Sequence, residues 1–374
     1  MKRIKLCIVM PTHWSSAMGG AEYQVKCLIQ RLMRYDRFEI YFLARDIGEI
    51  ENTKNIKLIN ITNRNFISKY GYFLDSIHLF SQLKKIEPDI IYQRVGCAYT
   101  GVTAYYAKKS GCRTVWHISS DSDVRKNHIP IIRKPHIWIE RKILTYGINN
   151  IEAIIAQTNH QKSLLYKTFG RKTSQIVKNF HPIPDKTIIE KPKEPIKILW
   201  VANFKQIKRP DIFVKLANDI FEIIGMKAQF TMIGRPATWD MKWQSSLEQN
   251  IKKVPNLEYL GELSIEKVNQ HIGSSHLFVN TSEEEGFPNT FIQSWMRYVP
   301  VISLKVDPDG IIEKNGIGAL AGNYERLKEL VLSFVNNPSR MIQAGIAARD
   351  YAEKNHSLDN ADVLCNMLID LHHE

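Results

Sequence analysis

Cysteine is scarce in this chain. The five residues, Cys7, Cys27, Cys97, Cys112 and Cys365, are scattered, odd in number and form no CxxC pair. That argues against a disulfide framework or a cysteine-rich metal site and fits a reducing cytoplasm. Long apolar runs are missing too: none approaches the ~18 residues a membrane-spanning helix needs. The apolar stretch before Pro11 is too short for a signal peptide and lacks a small-residue cleavage site, so it reads as a first β-strand. Short repeats and low-complexity tracts are absent. So are an RNA-module aromatic signature, zinc-finger spacing and a basic zipper, and no nucleic-acid partner is expected.

What is present suits a folded chain of 374 residues, long enough for two domains, with 44% hydrophobic and 24% charged residues. Its net charge of +13 is unevenly placed. Residues 1–190 hold 30 Lys+Arg against 15 Asp+Glu, and the remainder of the 51 and 38 leaves 21 against 23, so +15 and −2 make up the total. A basic half suits an anionic membrane surface or a phosphorylated acceptor. The plain alternative is that surplus lysines keep the protein soluble.

Apolar strands alternate with amphipathic helices. Strands are expected at 5–10, 40–44, 56–61, 89–92, 114–117 and 153–157. A helix is expected at 21–34, with Val25, Leu28, Ile29, Leu32 and Met33 on one face. Pro182, Pro184, Pro192 and Pro195 then mark a linker, because proline lacks the donor that a helix or central strand needs. The pattern restarts with strands at 196–201, 229–233, 257–260, 277–280 and 301–304 and a helix at 211–224, and the remainder reads as helical. This alternation predicts an α/β protein with parallel sheets, two Rossmann-like units facing each other across a cleft.

Four loops that follow strands could carry chemistry. In the first, Gly19 and Gly20 precede a helix, so their amides could approach an anion; a tight turn is the plain alternative. In the second, His117 ends a strand, where its ring can point into the cleft, although a lone histidine is often structural. In the third, Lys205, Lys208 and Arg209 lie between a strand and a helix, and a lysine there can neutralise a departing diphosphate. The fourth runs from Thr281 to Gln293. Asn289 is expected to cap a helix whose buried face is Phe291, Ile292, Trp295 and Met296. Amides near Thr290 could hold phosphate, and Glu285 could accept hydrogen bonds from sugar hydroxyls.

At these residues the chain resembles the family-4 (GT4) glycosyltransferases of the GT-B fold. The resemblance runs over nearly the whole chain in motif order: Gly19-Gly20-Ala21-Glu22, Ile154-Ile155-Ala156-Gln157-Thr158, Val177-Lys178-Asn179-Phe180, the Lys208 loop, Gly286-Phe287-Pro288-Asn289-Thr290 and Pro300-Val301-Ile302-Ser303. It implies retaining transfer from a nucleotide sugar without an essential metal or cofactor. The Gly19 and Gly20 amides and Lys208 would bind diphosphate, His117 would face the donor sugar, and Glu285 would hold a sugar hydroxyl. Phe287, Pro288, Asn289 and Thr290 would surround the phosphate or sugar, and Gln293 would take the ribose. Gly234, Arg235 and Leu263 would lie at the base, UDP being the default and GDP second. Gln293 stands where the family has a second glutamate, and Asn203 where it has an arginine; an amide still bonds ribose hydroxyls but without a carboxylate's charge.

The expected division is an acceptor domain at 1–185, a nucleotide-sugar domain at 186–355 and a C-terminal helix at 356–374 that could pack back on the first. The acceptor would be a glycan or lipid-diphosphate-linked glycan of surface-polysaccharide assembly. The protein would be cytoplasmic, with peripheral contact to the inner face of the membrane. For that contact the stretch 125–146 offers Trp138 among cations and aliphatics; an ordinary packed helix is the alternative. Three rival functions remain: a metal-dependent transferase using Asp121 and Asp123 or Asp307 and Asp309, a sugar-nucleotide epimerase, and a sugar-nucleotide-binding protein without transfer, the last prompted by Gln293 and Asn203.

Overall fold

The computed structural model describes residues 3–48, 56–61, 71–125, 134–185, 194–237 and 240–373. The chain divides into two compact units, Met1–Phe180 with Leu358–Glu374, and His181–Ser357.

The first unit is built on a seven-stranded sheet. Its strands are β1 (Ile4–Val9), β2 (Phe38–Ala44), β3 (Ile56–Asn60), β4 (Ile90–Arg94), β5 (Arg113–His117), β6 (Ala153–Ala156) and β7 (Gln175–Ile176). All pair in parallel in the order β3-β2-β1-β4-β5-β6-β7. A parallel sheet with both faces covered needs near-continuous apolar strands, and β1 and β4 are almost wholly buried. One face packs on α1 (Gly20–Leu32) through Val25, Leu28, Ile29 and Leu32, together with Leu364 and Leu368 of α13 (Asp359–His373). Arg31 pairs with Asp362, and Tyr35 donates to the same carboxylate at 3.0 Å, so α13 is held by charge as well as burial. The other face packs on α2 (Ser76–Ile86) and α3 (Ala98–Ser110).

Helix α4 (Pro135–Asn150) covers much of the basic stretch; residues 126–133 of that stretch lie outside the described residues. It lies close on α3. A Cβ at Gly147 would come within 2.5 Å of the Thr100–Gly101 backbone, and one at Gly101 within 2.3 Å of the Ile143 carbonyl. Leu144, Gly147 and Ile148 are buried, while Trp138 and Tyr146 remain 36% exposed. The helix is thus packed on one side and presents aromatics on the other.

The second unit carries a six-stranded parallel sheet in the order β10-β9-β8-β11-β12-β13. Its strands are β8 (Ile196–Val201), β9 (Ala228–Ile233), β10 (Leu257–Tyr259), β11 (Leu277–Asn280), β12 (Val301–Ser303) and β13 (Gly318–Leu320). Helix α6 (Pro210–Ile224) buries Phe213, Leu216, Ala217 and Ile220 against one face. Helices α8 (Ile265–Ser274), α9 (Asn289–Trp295) and α12 (Pro338–His356) cover the other. The C-terminal remainder, expected to be helical, also contains strand β13. β13 is three residues long, and a Cβ at Gly318 would fall 1.8 Å from the Val301 carbonyl, so close backbone approach fixes it rather than side-chain alternation. Of the four linker prolines, Pro182 and Pro184 lie in the segment that opens this unit, Pro195 precedes β8, and Pro192 lies outside the described residues.

Candidate functional site

In parallel α/β sheets the loops at the carboxyl ends of the strands carry ligands. In the second unit two such loops interlock. The indole of Trp200, near the end of β8, donates to the hydroxyl of Thr281 at 2.9 Å. That hydroxyl in turn is directed at the carbonyls of Lys208 (2.8 Å) and Arg209 (2.9 Å), and the Glu283 amide donates to the Ile207 carbonyl at 2.9 Å. Arg209 turns the chain with a left-handed φ of 48°, after which Pro210 starts α6, where its missing N–H costs nothing. The result presents Lys208 to Glu285: the ammonium donates to Oε1 of the carboxylate, which also accepts from Ser282 at 2.9 Å. Both side chains are about four-fifths buried, at 20% and 18% exposure. Arg209 pairs outward, with Glu283 at 2.8 Å and with Asp211.

Arg235, expected at the base, lies against Asn203, which stands where the family has an arginine. The Asn203 amide oxygen accepts from the Arg235 backbone at 3.3 Å, and the Phe204 amide donates back to the Arg235 carbonyl at 2.9 Å. Gly234 makes this approach possible, since a Cβ there would stand 1.8 Å from the Ala202 carbonyl oxygen. The Arg235 guanidinium is taken up by a forked pair with Glu262, at 2.8 to 3.0 Å. Leu263 packs against the apolar layer below.

The start of α9 differs from expectation. Pro288, not Asn289, occupies the cap position, and no side chain caps the helix. Asn289 is already helical, and its side chain bonds the buried ring of His181. The Pro288 ring fixes φ at −65°, which positions the first turn without a side-chain cap. The Phe291 amide returns to the Pro288 carbonyl at 3.1 Å, and the Thr290 carbonyl accepts from Ser294 at 2.7 Å. Phe287 is buried against His356, ring centroids 4.8 Å apart. Phe291, Ile292, Trp295 and Met296 are all fully buried. Gln293 is buried as well, at 6% exposure, and its amide donates to Asn269 of α8 at 3.0 Å.

In the first unit, α1 starts at Gly20 with Gly19 as its cap in extended conformation, which any residue could adopt. The space above Gly19 is used by Glu22, whose carboxylate would meet a Cβ there at 2.5 Å. An acid thus already faces this helix start, as the helix dipole favours. His117 does not stand at an open surface. It is fully buried at the end of β5, its Nδ1 2.9 Å from the Tyr92 hydroxyl. Desolvation, reinforced by the nearby Arg94 charge, holds it well below the usual histidine range and therefore neutral. Arg94 itself was missed in the sequence. The visible signal is a charged residue closing the apolar run of β4.

The two acidic pairs are engaged in loop structure. Asp123 accepts from the Ser119 amide and hydroxyl at 2.8 Å each, Asp121 from Gln161 at 3.1 Å, and Asp307 from the Ile312 amide at 2.8 Å. No cluster of three or more metal-ligating side chains occurs among the described residues.

Comparison with solved structures places this architecture. The chain superposes on a crystal structure of Anabaena HepE in complex with UDP and glucose (TM-score 0.75, 13% identity, 98% of this chain and 100% of that one). It also superposes on sucrose-phosphate synthase from Thermosynechococcus elongatus (0.78, 13%, 98% and 98%). A third match is WaaG, a glycosyltransferase involved in lipopolysaccharide biosynthesis (0.77, 12%, 97% and 99%). The fold is GT-B. Residues 195–337, which hold β8 to β13, match the family model described as glycosyl transferases group 1. No curated protein matches the chain. The GT-B loops of the second unit are therefore those that carry Lys208, Glu285 and the Asn203–Arg235 contact.

Proposed function

We propose that the chain is a retaining, metal-independent GT4 glycosyltransferase. It would transfer a sugar from a nucleotide-sugar donor, UDP-linked before GDP-linked, to a glycan or lipid-diphosphate-linked acceptor in surface-polysaccharide assembly. The observation that carries this reading is the Lys208–Glu285 pair, set by Thr281 at the carboxyl edge of a sheet that matches the group 1 model. HepE and TarM, which share the fold, have been solved with UDP bound.

In this mechanism the anomeric carbon gains oxocarbenium character while the diphosphate departs and takes negative charge. Lys208 exchanges its bond to Glu285 for the leaving phosphate, and Glu285 accepts a hydrogen bond from a sugar hydroxyl in its place. The departing phosphate takes the acceptor's proton, so no protein nucleophile is assigned. The acceptor and a peripheral membrane contact are assigned to the basic N-terminal unit.

Incubation with a panel of UDP- and GDP-sugars tests this. Nucleotide release that depends on added acceptor, undiminished in EDTA, supports transfer without metal. An altered sugar without acceptor indicates epimerisation instead, and binding without turnover indicates a carrier. The carrier reading has a specific observation behind it, since Gln293 and Arg235 already hold protein partners.

A further inference from the structure

Six glutamines are buried among the described residues: Gln24, Gln93, Gln157, Gln161, Gln244 and Gln293. A buried amide has a donor end and an acceptor end, and each is costly to leave unmade. Gln24 donates to the Phe180 carbonyl at 2.8 Å and accepts from the Phe180 amide at 2.9 Å. Gln93, Gln161 and Gln244 likewise bond at both ends. The Gln157 nitrogen donates to the Ile118 carbonyl, and its oxygen is closed off from solvent. Gln293 is the exception. Its nitrogen donates to the Asn269 side-chain oxygen at 3.0 Å, its own oxygen has no hydrogen-bond partner among the described residues, and that oxygen is not closed off from solvent.

Asn269 belongs to α8, whose Val268 and Ile272 are buried in the same apolar layer as Phe291 and Ile292 of α9. Asn269 itself is only half-buried, so the amide pair lies at the rim of that layer. Packing fixes the stem of Gln293 but cannot tell the two ends of an amide apart, because its oxygen and nitrogen differ little in size. A hydrogen bond can. The Asn269 oxygen can only accept, so it selects the Gln293 nitrogen and turns the Gln293 oxygen away from α8.

We propose that Asn269 is a positioning residue for the ribose of the donor: it holds the Gln293 amide so that the Gln293 oxygen accepts a hydrogen bond from a ribose hydroxyl. The ribose assignment rests on the nucleotide-sugar reading above; the amide bonded at one end rests on the geometry. A carboxylate at position 293 would present an acceptor whichever way it turned. An amide does so in only one of its two orientations, and Asn269 supplies that orientation. The protein partner of Gln293 thus prepares the amide for ribose rather than removing it from use.

Calorimetric binding of UDP and GDP, each beside its 2′,3′-dideoxy counterpart, tests this. The wild type is expected to prefer the ribonucleotide by about tenfold. Asn269→Leu should bring that preference below about threefold and leave the affinity for the dideoxy nucleotide unchanged, which also shows that the variant is folded. Asn269→Asp offers only acceptors and should restore the preference. Gln293→Leu should lose it as well, and adding Asn269→Leu to that variant should change nothing further, because the two side chains act as one unit. Full preference in Asn269→Leu, no restoration by Asn269→Asp, or additive losses in the double variant overturn the role of Asn269. A wild type that binds a nucleotide without preferring the ribose form overturns the ribose contact alone and leaves the donor reading standing. A wild type that binds neither nucleotide overturns the donor reading and this inference with it.

Discussion

Lys208 and Glu285 stand 77 residues apart in sequence and share a proton-donating contact across two loops. The same Glu285 oxygen accepts from Ser282, and the loop carrying Lys208 is fastened to Thr281 at its carbonyls. The pair is therefore set by the backbone of both loops, and a ligand that takes either side chain must replace what the other loses.

Replacing Lys208 by Ala should lower kcat/KM by about 10²–10³, the scale of removing one preorganised charge from a transition state. Stability should fall by about 1–3 kcal/mol, since the pair is mostly buried and the substitution leaves Glu285 without its counter-charge. Glu285→Gln should act chiefly on kcat as well. Steady-state kinetics with the productive nucleotide sugar, alongside urea unfolding, separates these effects, and an unchanged kcat/KM in Lys208→Ala would remove the role assigned to it.

Gly234 and Gly261 offer a second test, of the loops expected at the base. Gly261 has φ of 72° and open space where a Cβ would go, so Gly261→Ala should cost about 1–2 kcal/mol, from backbone strain alone. At Gly234 a Cβ would meet the backbone of Ala202, which cannot swing aside like a side chain. Gly234→Ala should therefore cost more, about 3 kcal/mol, and weaken nucleotide binding by displacing Asn203. Equal urea midpoints for the two variants would refute this account.

Much of the fold was legible because burial on both faces of a parallel sheet leaves a strong mark. The strands at 196–201 and 277–280 match their expected limits, and others differ by a residue or two at the ends. β7 and β13 were not legible, because neighbouring strands rather than an apolar pattern of their own fix them. At the site, the Glu283–Thr290 loop was readable as Gly, Pro and polar residues between a strand and a helix. Partnerships were not. Nothing in the sequence around Gln293 indicates that Asn269 would bond it, or that Glu262 would take Arg235. The place of His117 at a strand end does not reveal whether the ring is covered.

Acid should destabilise the protein through its buried histidines. Burial, with the nearby Lys26 charge, pushes His13 down to about 4, and burial with Arg297 and His356 pushes His181 down to about 3. Both fall below the unfolded value of ~6.5, so the folded state binds fewer protons than the unfolded one. The stability this gives is complete above about pH 6.5 and is lost as pH falls through 6.5 toward 3. Each histidine adds up to ~1.4 kcal/mol per pH unit within that window. His181→Asn, which keeps a polar partner for Asn289, should flatten the stability profile between pH 6 and 4 by about that amount. A slope equal to wild type would show that His181 does not titrate on unfolding.

The basic N-terminal unit makes a last prediction. One side of α4 is committed to α3 through Gly147, which leaves Trp138 and the cation Lys142, 5.4 Å above its ring, on the free side. Ile77 of α2 is 81% exposed. An interfacial tryptophan flanked by lysine and arginine suits an anionic headgroup layer, with about 1 kcal/mol from each cation near the surface. Charge reversal of Arg141 and Lys142 together should then weaken binding to phosphatidylglycerol vesicles by more than about tenfold. Neutral vesicles should bind poorly, and salt should release the protein as the Debye length shrinks. Flotation at two ionic strengths measures all three, and wild-type binding that is absent or insensitive to salt would leave α4 as an ordinary packed helix.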